Sequence, residues 1–252
     1  MADLAQQYAR DGFVVFDADP RVLDWVQAAH PIAQRVSQDP EQRAVWLRHG
    51  DTWFVGVDAL PNVETGAVNG VSLRGPWEEL IETPKAWHKA QVSVTYPNYP
   101  QQDKTDSAAA HRFRIKRAAA HVDGLHLEQG RRIVREPHAF ILGLPLNRSD
   151  ACPLVVWRAS HVAMKAALRG ALGESDPRGQ DVTEVYTAAR AAAFERCERV
   201  EVHMQPGQAV LVDRFLVHGV APWWNGMHCP DEGRMIAYFR PEFETAEDWL
   251  RG

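Results

Sequence analysis

Cysteine is scarce in this chain of 252 residues. The three present, Cys152, Cys197 and Cys229, are widely spaced, odd in number and form no CxxC pair, which indicates a reduced, cytoplasmic compartment rather than a disulfide framework. Long apolar runs are missing too: none approaches the ~20 residues a membrane helix needs. The start, Met1-Ala-Asp-Leu-Ala-Gln-Gln7, lacks the basic head and apolar run of a signal peptide. There is no basic surplus; a formal charge of −5 argues against general nucleic-acid binding. Repeats, low-complexity tracts and linkers are absent as well. The expectation is a soluble cytoplasmic protein with a small-molecule partner, no nucleic acid and no membrane. Its oligomeric state stays open.

Apolar residues make up 45% and charged residues 24% of the chain, ordinary globular values. A chain of this length suits one all-β domain spanning 1–252, large enough to bury roughly 70–75% of its unfolded surface. Residues 2–10 read as a helix, Gly12-Phe-Val-Val-Phe16 as a strand, and Pro20 to about Ser37 and the stretch from Asp39-Pro40 as further helices. Asp51–Leu60 reads as a strand and 62–84 as loops with at most a helical turn. Strands dominate from residue 91: Gln91–Pro97, Arg114–Ala120, then, after a charged loop from Leu125 to Glu136, His138–Asn147 and Leu154–Ser160 as an antiparallel pair. Two helical segments, about 161–172 and 181–197, flank a breaker at Ser175–Gly179. Strands resume at Arg199–Met204, Gln208–His218 and Arg234–Arg240, before a short acidic tail. Helices and strands over 1–90 would buttress a core over 91–243 that carries the helical insertion 161–197. The expected fold is mainly β with flanking helices, a double-stranded β-helix or cupin-like jelly roll.

The stretch His121-Val122-Asp123-Gly124 carries the first chemical signal. Residues two apart on a strand share a face, so an imidazole and a carboxylate would stand side by side. They form two thirds of the two-histidine, one-carboxylate set that binds iron(II) and leaves positions open. Alone the pattern is weak, and a structural histidine–aspartate hydrogen bond is the bland reading. His218 adds weight, because it closes the apolar run Val210–Val217, where an imidazole facing the interior must be paired or liganded.

With these landmarks the chain resembles the iron(II)/2-oxoglutarate-dependent dioxygenases, and within them the phytanoyl-CoA dioxygenase-like group. The matching features run in order: a helix followed by Gly12-Phe-Val-Val, His121-Val-Asp123, Trp157-Arg-Ala-Ser160-His161, a helical insertion, Pro206–Gly219 with His218, and a late basic strand. The resemblance implies that His121, Asp123 and His218 hold Fe(II). It also implies that 2-oxoglutarate chelates the metal and sends its far carboxylate to an arginine, Arg234 first and Arg240 second. A planar guanidinium suits that task by holding a carboxylate bidentately. The implied activity is O2-dependent hydroxylation of an unactivated C–H bond of a small organic molecule, with release of succinate and carbon dioxide. Related halogenases lack the carboxylate, so Asp123 favours hydroxylation. Alternatives are a cupin-like metal enzyme that does not use 2-oxoglutarate and a non-catalytic metabolite-binding protein on the same barrel.

His126, Trp223 and Trp224 are expected to line the substrate pocket, against the bland readings of a solvated loop histidine and packing beneath a loop. His138, His161 and His203 read as structural. The basic group Arg112, Arg114, Lys116, Arg117, Arg131, Arg132 and Arg135 would suit an anionic substrate, although a strand's solvent face explains part of it equally well. Loops 62–84, 98–112 and 124–137 are expected to choose the substrate.

Overall fold

The computed structural model describes residues 2–104, 106–173, 176–243, 245 and 248–251. Helix α1 (Ala2–Asp11) leads through Gly12, at φ +80°, into strand β1 (Phe13–Phe16). Helix α2 (Pro20–Gln38) is capped by Asp19, whose carboxylate accepts from Arg21 N, with proline at the first turn where no donor is lost. Helix α3 (Pro40–Trp46) repeats the device with Asp39. Then come β2 (Leu47–Arg48), β3 (Trp53–Gly56), a 3-10 turn at Pro76–Glu79 and β4 (Gln91–Thr95). The remaining elements are α4 (Ala108–Arg117), β5 (Leu125–Glu128), β6 (Arg131–Val134), β7 (Phe140–Pro145), β8 (Leu154–Trp157), α5 (Ser160–Leu172), α6 (Thr183–Arg196), β9 (Arg199–Val202), β10 (Ala209–Asp213), β11 (His218–Val220), β12 (Arg234–Phe239) and α7 (Asp248–Arg251).

Seven strands form an antiparallel sheet in the order β1-β10-β7-β12-β4-β3-β2; a second sheet runs β11-β8-β9, and β5-β6 is a separate hairpin. Alternation along the central strands builds two cores. Leu142, Leu144, Leu211, Met235, Ala237 and Phe239 face α2, where they meet Val22, Trp25, Val26 and Ala29. Ile141, Val210, Val212 and Ile236 face the second sheet and meet Leu154 and Val156. The outer side of the second sheet is covered by α5 and α6 through Val155, Trp157, Met164, Leu168 and Tyr186. This is the expected jelly roll with flanking helices.

Several sequence expectations are corrected. Arg114–Ala120 is not a strand: its first half belongs to α4. Ser107 caps that helix, its Oγ accepting from Ala110 N at 3.1 Å, and the alanines, lysine and arginines that follow are good helix formers. The basic residues Arg112, Arg114, Lys116 and Arg117 therefore lie on a helix rather than on a strand face. The charged loop 125–136 is largely the β5-β6 hairpin, turned at Gln129 (φ +48°) and Gly130 (φ +82°), as a two-residue type I′ turn requires. β7 and β8 do not pair, because β7 has both edges taken by β10 and β12. The run Gln208–His218 is two strands, not one. The chain bends at Asp213, whose Oδ1 accepts from Phe215 N at 2.8 Å and whose backbone oxygen accepts from Leu216 N at 2.9 Å. That bend carries it from the large sheet to the small one. Ser175 of the expected breaker, and residues 244, 246 and 247 of the acidic tail, lie outside the described residues.

Candidate metal and substrate site

Helix α4 ends at Ala118, and both Ala118 (φ +52°) and Ala119 (φ +51°) adopt the left-handed conformation. Alanine gains no side-chain hydrogen bond there, so the pair stores strain of roughly 1–2 kcal/mol per residue. The turn it makes lays His121 against His218. The two backbones exchange hydrogen bonds, His121 N to His218 O at 2.8 Å and His218 N to His121 O at 3.0 Å. His121 therefore sits on an isolated bridge and Asp123 in the turn that follows it, rather than both on a regular strand. Gly219 permits the approach: a Cβ there would meet the Ala118 carbonyl oxygen at 2.1 Å.

The ligating atoms of His121, Asp123 and His218 all lie within 4.8 Å of one another. Asp123 Oδ1 stands 3.0 Å from His121 Nε2 and 3.7 Å from His218 Nε2. The opposite nitrogens are committed: His121 Nδ1 donates to Ala119 O at 3.0 Å, and His218 Nδ1 to Leu216 O at 2.8 Å. A carbonyl only accepts, so each Nδ1 carries the proton and each neutral ring turns an Nε2 lone pair towards the carboxylate. Lone pairs facing an anion at these distances need a positive charge between them, a second proton or a metal ion. Fixing the tautomer through the remote nitrogen is the arrangement that metal-binding histidines use. The donor set fits a divalent transition metal with open positions, iron(II) foremost.

Arg240 braces the carboxylate from behind. Its Nη1 lies 3.3 Å from Asp123 Oδ2, and its Nη2 donates to Gln91 Oε1 at 2.6 Å. Burial alone would raise the Asp123 carboxyl; the Arg240 charge, with hydrogen bonds from His121 and His218 when their rings carry the second proton, outweighs it and holds the group well below the usual carboxylate range. Burial pushes the His218 imidazole down, and Asp123 more than reverses that, so its pKa is raised.

The three residues open onto a cavity of about 530 Å³. Its wall is apolar at Ile141, Leu154 and Val212 and basic at Arg114, Arg132 and Arg190. Of the expected substrate-choosing loops, 98–112 and 124–137 contribute to the wall, through residues such as Tyr99, Asp106, Leu127 and Arg132, whereas 62–84 packs elsewhere.

The expected pocket residues lie outside that wall. His126 is on the opposite face of β5 from Leu127 and pairs with Glu136 at 3.3 Å. Trp223 packs with Tyr99 and Cys152, its backbone N donating to Tyr99 O, and Trp224 is 60% exposed. Arg114 and Arg132 of the expected basic group are on the wall, whereas Phe113 from α4 and Arg190 from α6 were not anticipated; the Ser107-Ala-Ala-Ala110 start of α4 was the signal available for Phe113. A second cluster, His49 with Asp103 and Asp106, also brings ligand-type atoms together. There the Asp103 oxygens are engaged at 2.7 Å by the His49 and Gly50 backbone nitrogens, bracing the β2–β3 turn.

Arg234 occupies the far end of β12. It is 8% exposed, with Nη1 buried and unpartnered, and no carboxylate pairs with it among the described residues. Directly across the ladder stands Thr95, whose Oγ1 is also buried without a partner. Arg234 lines a small cleft with Asn147, Pro153 and Met204 rather than the wall of the large cavity.

No family model matches the sequence, and no curated protein is similar to it in sequence. Solved structures do match. The non-heme α-ketoglutarate-dependent carbocyclase SnoK from nogalamycin biosynthesis aligns over 95% of this chain and 83% of its own, at TM-score 0.58 and 16% identity. The epimerase SnoN of the same biosynthesis aligns over 95% and 81%, at TM-score 0.52 and 18% identity. SnoN in complex with Fe3+, α-ketoglutarate and nogalamycin RO gives 95%, 82%, 0.53 and 18%. The chain has the fold of the non-heme iron, 2-oxoglutarate-dependent oxygenases. Among the described residues, no helix is long and apolar enough to cross a membrane.

Proposed function

We propose that this protein is an iron(II)- and 2-oxoglutarate-dependent oxygenase that hydroxylates a C–H bond of a small organic substrate. The observation that carries the reading is the convergence of two Nε2 lone pairs on Asp123 Oδ1 at the wall of the cavity. His121, Asp123 and His218 would hold iron(II). Bound iron, 2-oxoglutarate and O2 together supply C–H oxidation coupled to formation of succinate and carbon dioxide. The neighbouring folds serve a carbocyclase and an epimerase as well. The complete carboxylate-bearing triad supports hydroxylation over halogenation. Arg234 with Thr95 would take the far carboxylate of 2-oxoglutarate, since a buried cation and hydroxyl without partners are costly until an anion pairs with them. Apolar residues Ile141, Leu154 and Val212 would exclude water from the reacting centre.

The test is anaerobic titration of the protein with iron(II) and 2-oxoglutarate. A weak visible charge-transfer band is expected, followed by succinate release when oxygen is admitted. Arg234→Met should raise the 2-oxoglutarate concentration needed for half the band by about 10–100-fold, the worth of a charge-assisted hydrogen-bond pair, and leave iron binding alone. One observation favours a metal enzyme that does not use 2-oxoglutarate: Arg234 lies off the large cavity. That reading predicts an iron spectrum indifferent to 2-oxoglutarate.

Arg240 acts on Asp123, by this account, rather than on the cosubstrate. Arg240→Met should weaken iron binding about 10–100-fold, the usual cost of removing a partner behind a metal ligand, with little change in 2-oxoglutarate affinity at saturating iron. A large rise in the 2-oxoglutarate requirement of this variant, with Arg234→Met silent, would exchange the two roles.

A further inference from the structure

Two cations on the cavity wall have no work in the reading above. Arg132 on β6 and Arg190 on α6 both line the cavity, and neither is within ion-pair distance of a carboxylate among the described residues. Both guanidiniums are gathered by one buried ring: Arg132 Cζ lies 5.8 Å and Arg190 Cζ 5.0 Å from the Tyr186 centroid, and Arg190 Cζ also lies 4.9 Å from that of Phe113. Like charges held around a single aromatic repel one another, and cation–π contacts of roughly 0.5–2 kcal/mol offset that only in part.

Backbone contacts fix where the two cations stand. Arg190 Nη1 reaches the Ala120 carbonyl at 3.4 Å, one residue before His121. Arg132 Nη1 donates to the Leu125 carbonyl at 3.1 Å, two residues after Asp123. The pair thus flanks the segment that carries two of the three metal-binding candidates. Most donors of each fork remain free, and a planar fork matches a carboxylate bidentately. Phe113 beside Arg190, and Ala118 and Val220 next to His218, give the wall apolar surface near both the forks and the triad. Of the other charged residues on the wall, Asp123 faces Arg240, and Arg114 lies beside Tyr99 and in the field of Asp103; the two charges of 2-oxoglutarate would face the iron and Arg234.

From this arrangement we infer that Arg132 and Arg190 form an anion anchor for the substrate, which is a carboxylic acid with an apolar body, held by its carboxylate at these two forks with its hydrocarbon part towards the triad. At about 530 Å³ the cavity is in the range that takes a drug-sized ligand. The inference rests on the oxygenase reading for what happens to the hydrocarbon; the anchor is tested separately from it.

The probes are 1-naphthylacetate, its neutral amide 1-naphthylacetamide, and 1-naphthyl phosphate. Binding is measured by ligand-observed NMR and calorimetry to anaerobic protein saturated with iron(II) and 2-oxoglutarate. The acid is expected to bind about tenfold or more tighter than the amide, as a charge-assisted pair implies. Arg132→Gln and Arg190→Gln should each lower that preference and the double variant erase it, whereas Arg190→Lys keeps part of it. Equal binding of acid and amide, no binding of either, or a preference that survives in the double variant overturns the anchor. Tighter binding of the phosphate than of the acid overturns the carboxylate assignment. The charge-transfer band is recorded on the same samples: band without preference sinks the anchor alone, and preference without band sinks the oxygenase reading alone.

Discussion

His218→Ala is expected to abolish the 2-oxoglutarate-dependent band and to weaken iron binding by more than about 100-fold, since even groups behind a metal ligand are worth 10–100-fold. The residue is 8% exposed, with Nδ1 held by the Leu216 carbonyl and Nε2 facing Asp123 Oδ1 at 3.7 Å. Alanine removes one of three donors and leaves Asp123 and His121 on a site of lower denticity. The fold should tolerate it, because the backbone bonds that join His218 to His121 do not involve the imidazole. Circular dichroism separates loss of metal from loss of structure. Unchanged iron affinity in a folded His218→Ala protein would remove the basis for the metal site.

Gly219→Ala should be among the most damaging single methyls in the molecule. Its added Cβ would stand 2.1 Å from the Ala118 carbonyl oxygen and 3.1 Å from Ala120 Cα, both backbone atoms that no rotamer change can move. Val220 N already donates to that same oxygen at 3.1 Å. Overpacking of this kind costs roughly 3 kcal/mol or more, a fall in Tm of about 6–12 °C for a chain of this size. Relief would come by pushing the 118–121 segment off β11, which separates His121 from His218 and costs iron affinity as well. Gly70→Ala is the control. Gly70 has φ +79° but open space around it, so it should lose only about 1 kcal/mol and keep the metal site. A Tm for Gly219→Ala no lower than that of the control would show that the strands part without cost.

How much of this was legible in the sequence depends on the range of each signal. Helices α2 and α3 announced themselves through Asp-Pro starts, because a cap and its helix are neighbours in the chain. β4 showed in the alternation of its valines with Gln91, Ser93 and Thr95, and β10 in the run Ala209-Val-Leu-Val212, because a strand's side chains alternate between faces and one buried on both needs apolar residues throughout. Helix α4 was misread because its low amphipathicity let arginine and lysine alternate with other residues as on a half-exposed strand. The β5-β6 hairpin was read as a loop; Gln129-Gly130, flanked by alternating Leu125-His126-Leu127 and Arg132-Ile133-Val134, was the local clue.

The sequence by itself determined the chemistry on offer: two imidazoles, a carboxylate and basic strand residues, set in a mainly β chain with helices at its start and in an insertion. It determined this because residue type and local pattern are written in consecutive positions. Only the tertiary structure decided which of these groups meet. The bend at Asp213, the left-handed turn at Ala118-Ala119 and the missing side chain of Gly219 together bring His218 to His121. The packing of α4, α6 and the β5-β6 hairpin around the cavity puts Arg132 and Arg190, rather than His126, Trp223 or Trp224, on its wall. Such choices depend on contacts between residues far apart in the chain, where spacing along the sequence carries no information about distance in space.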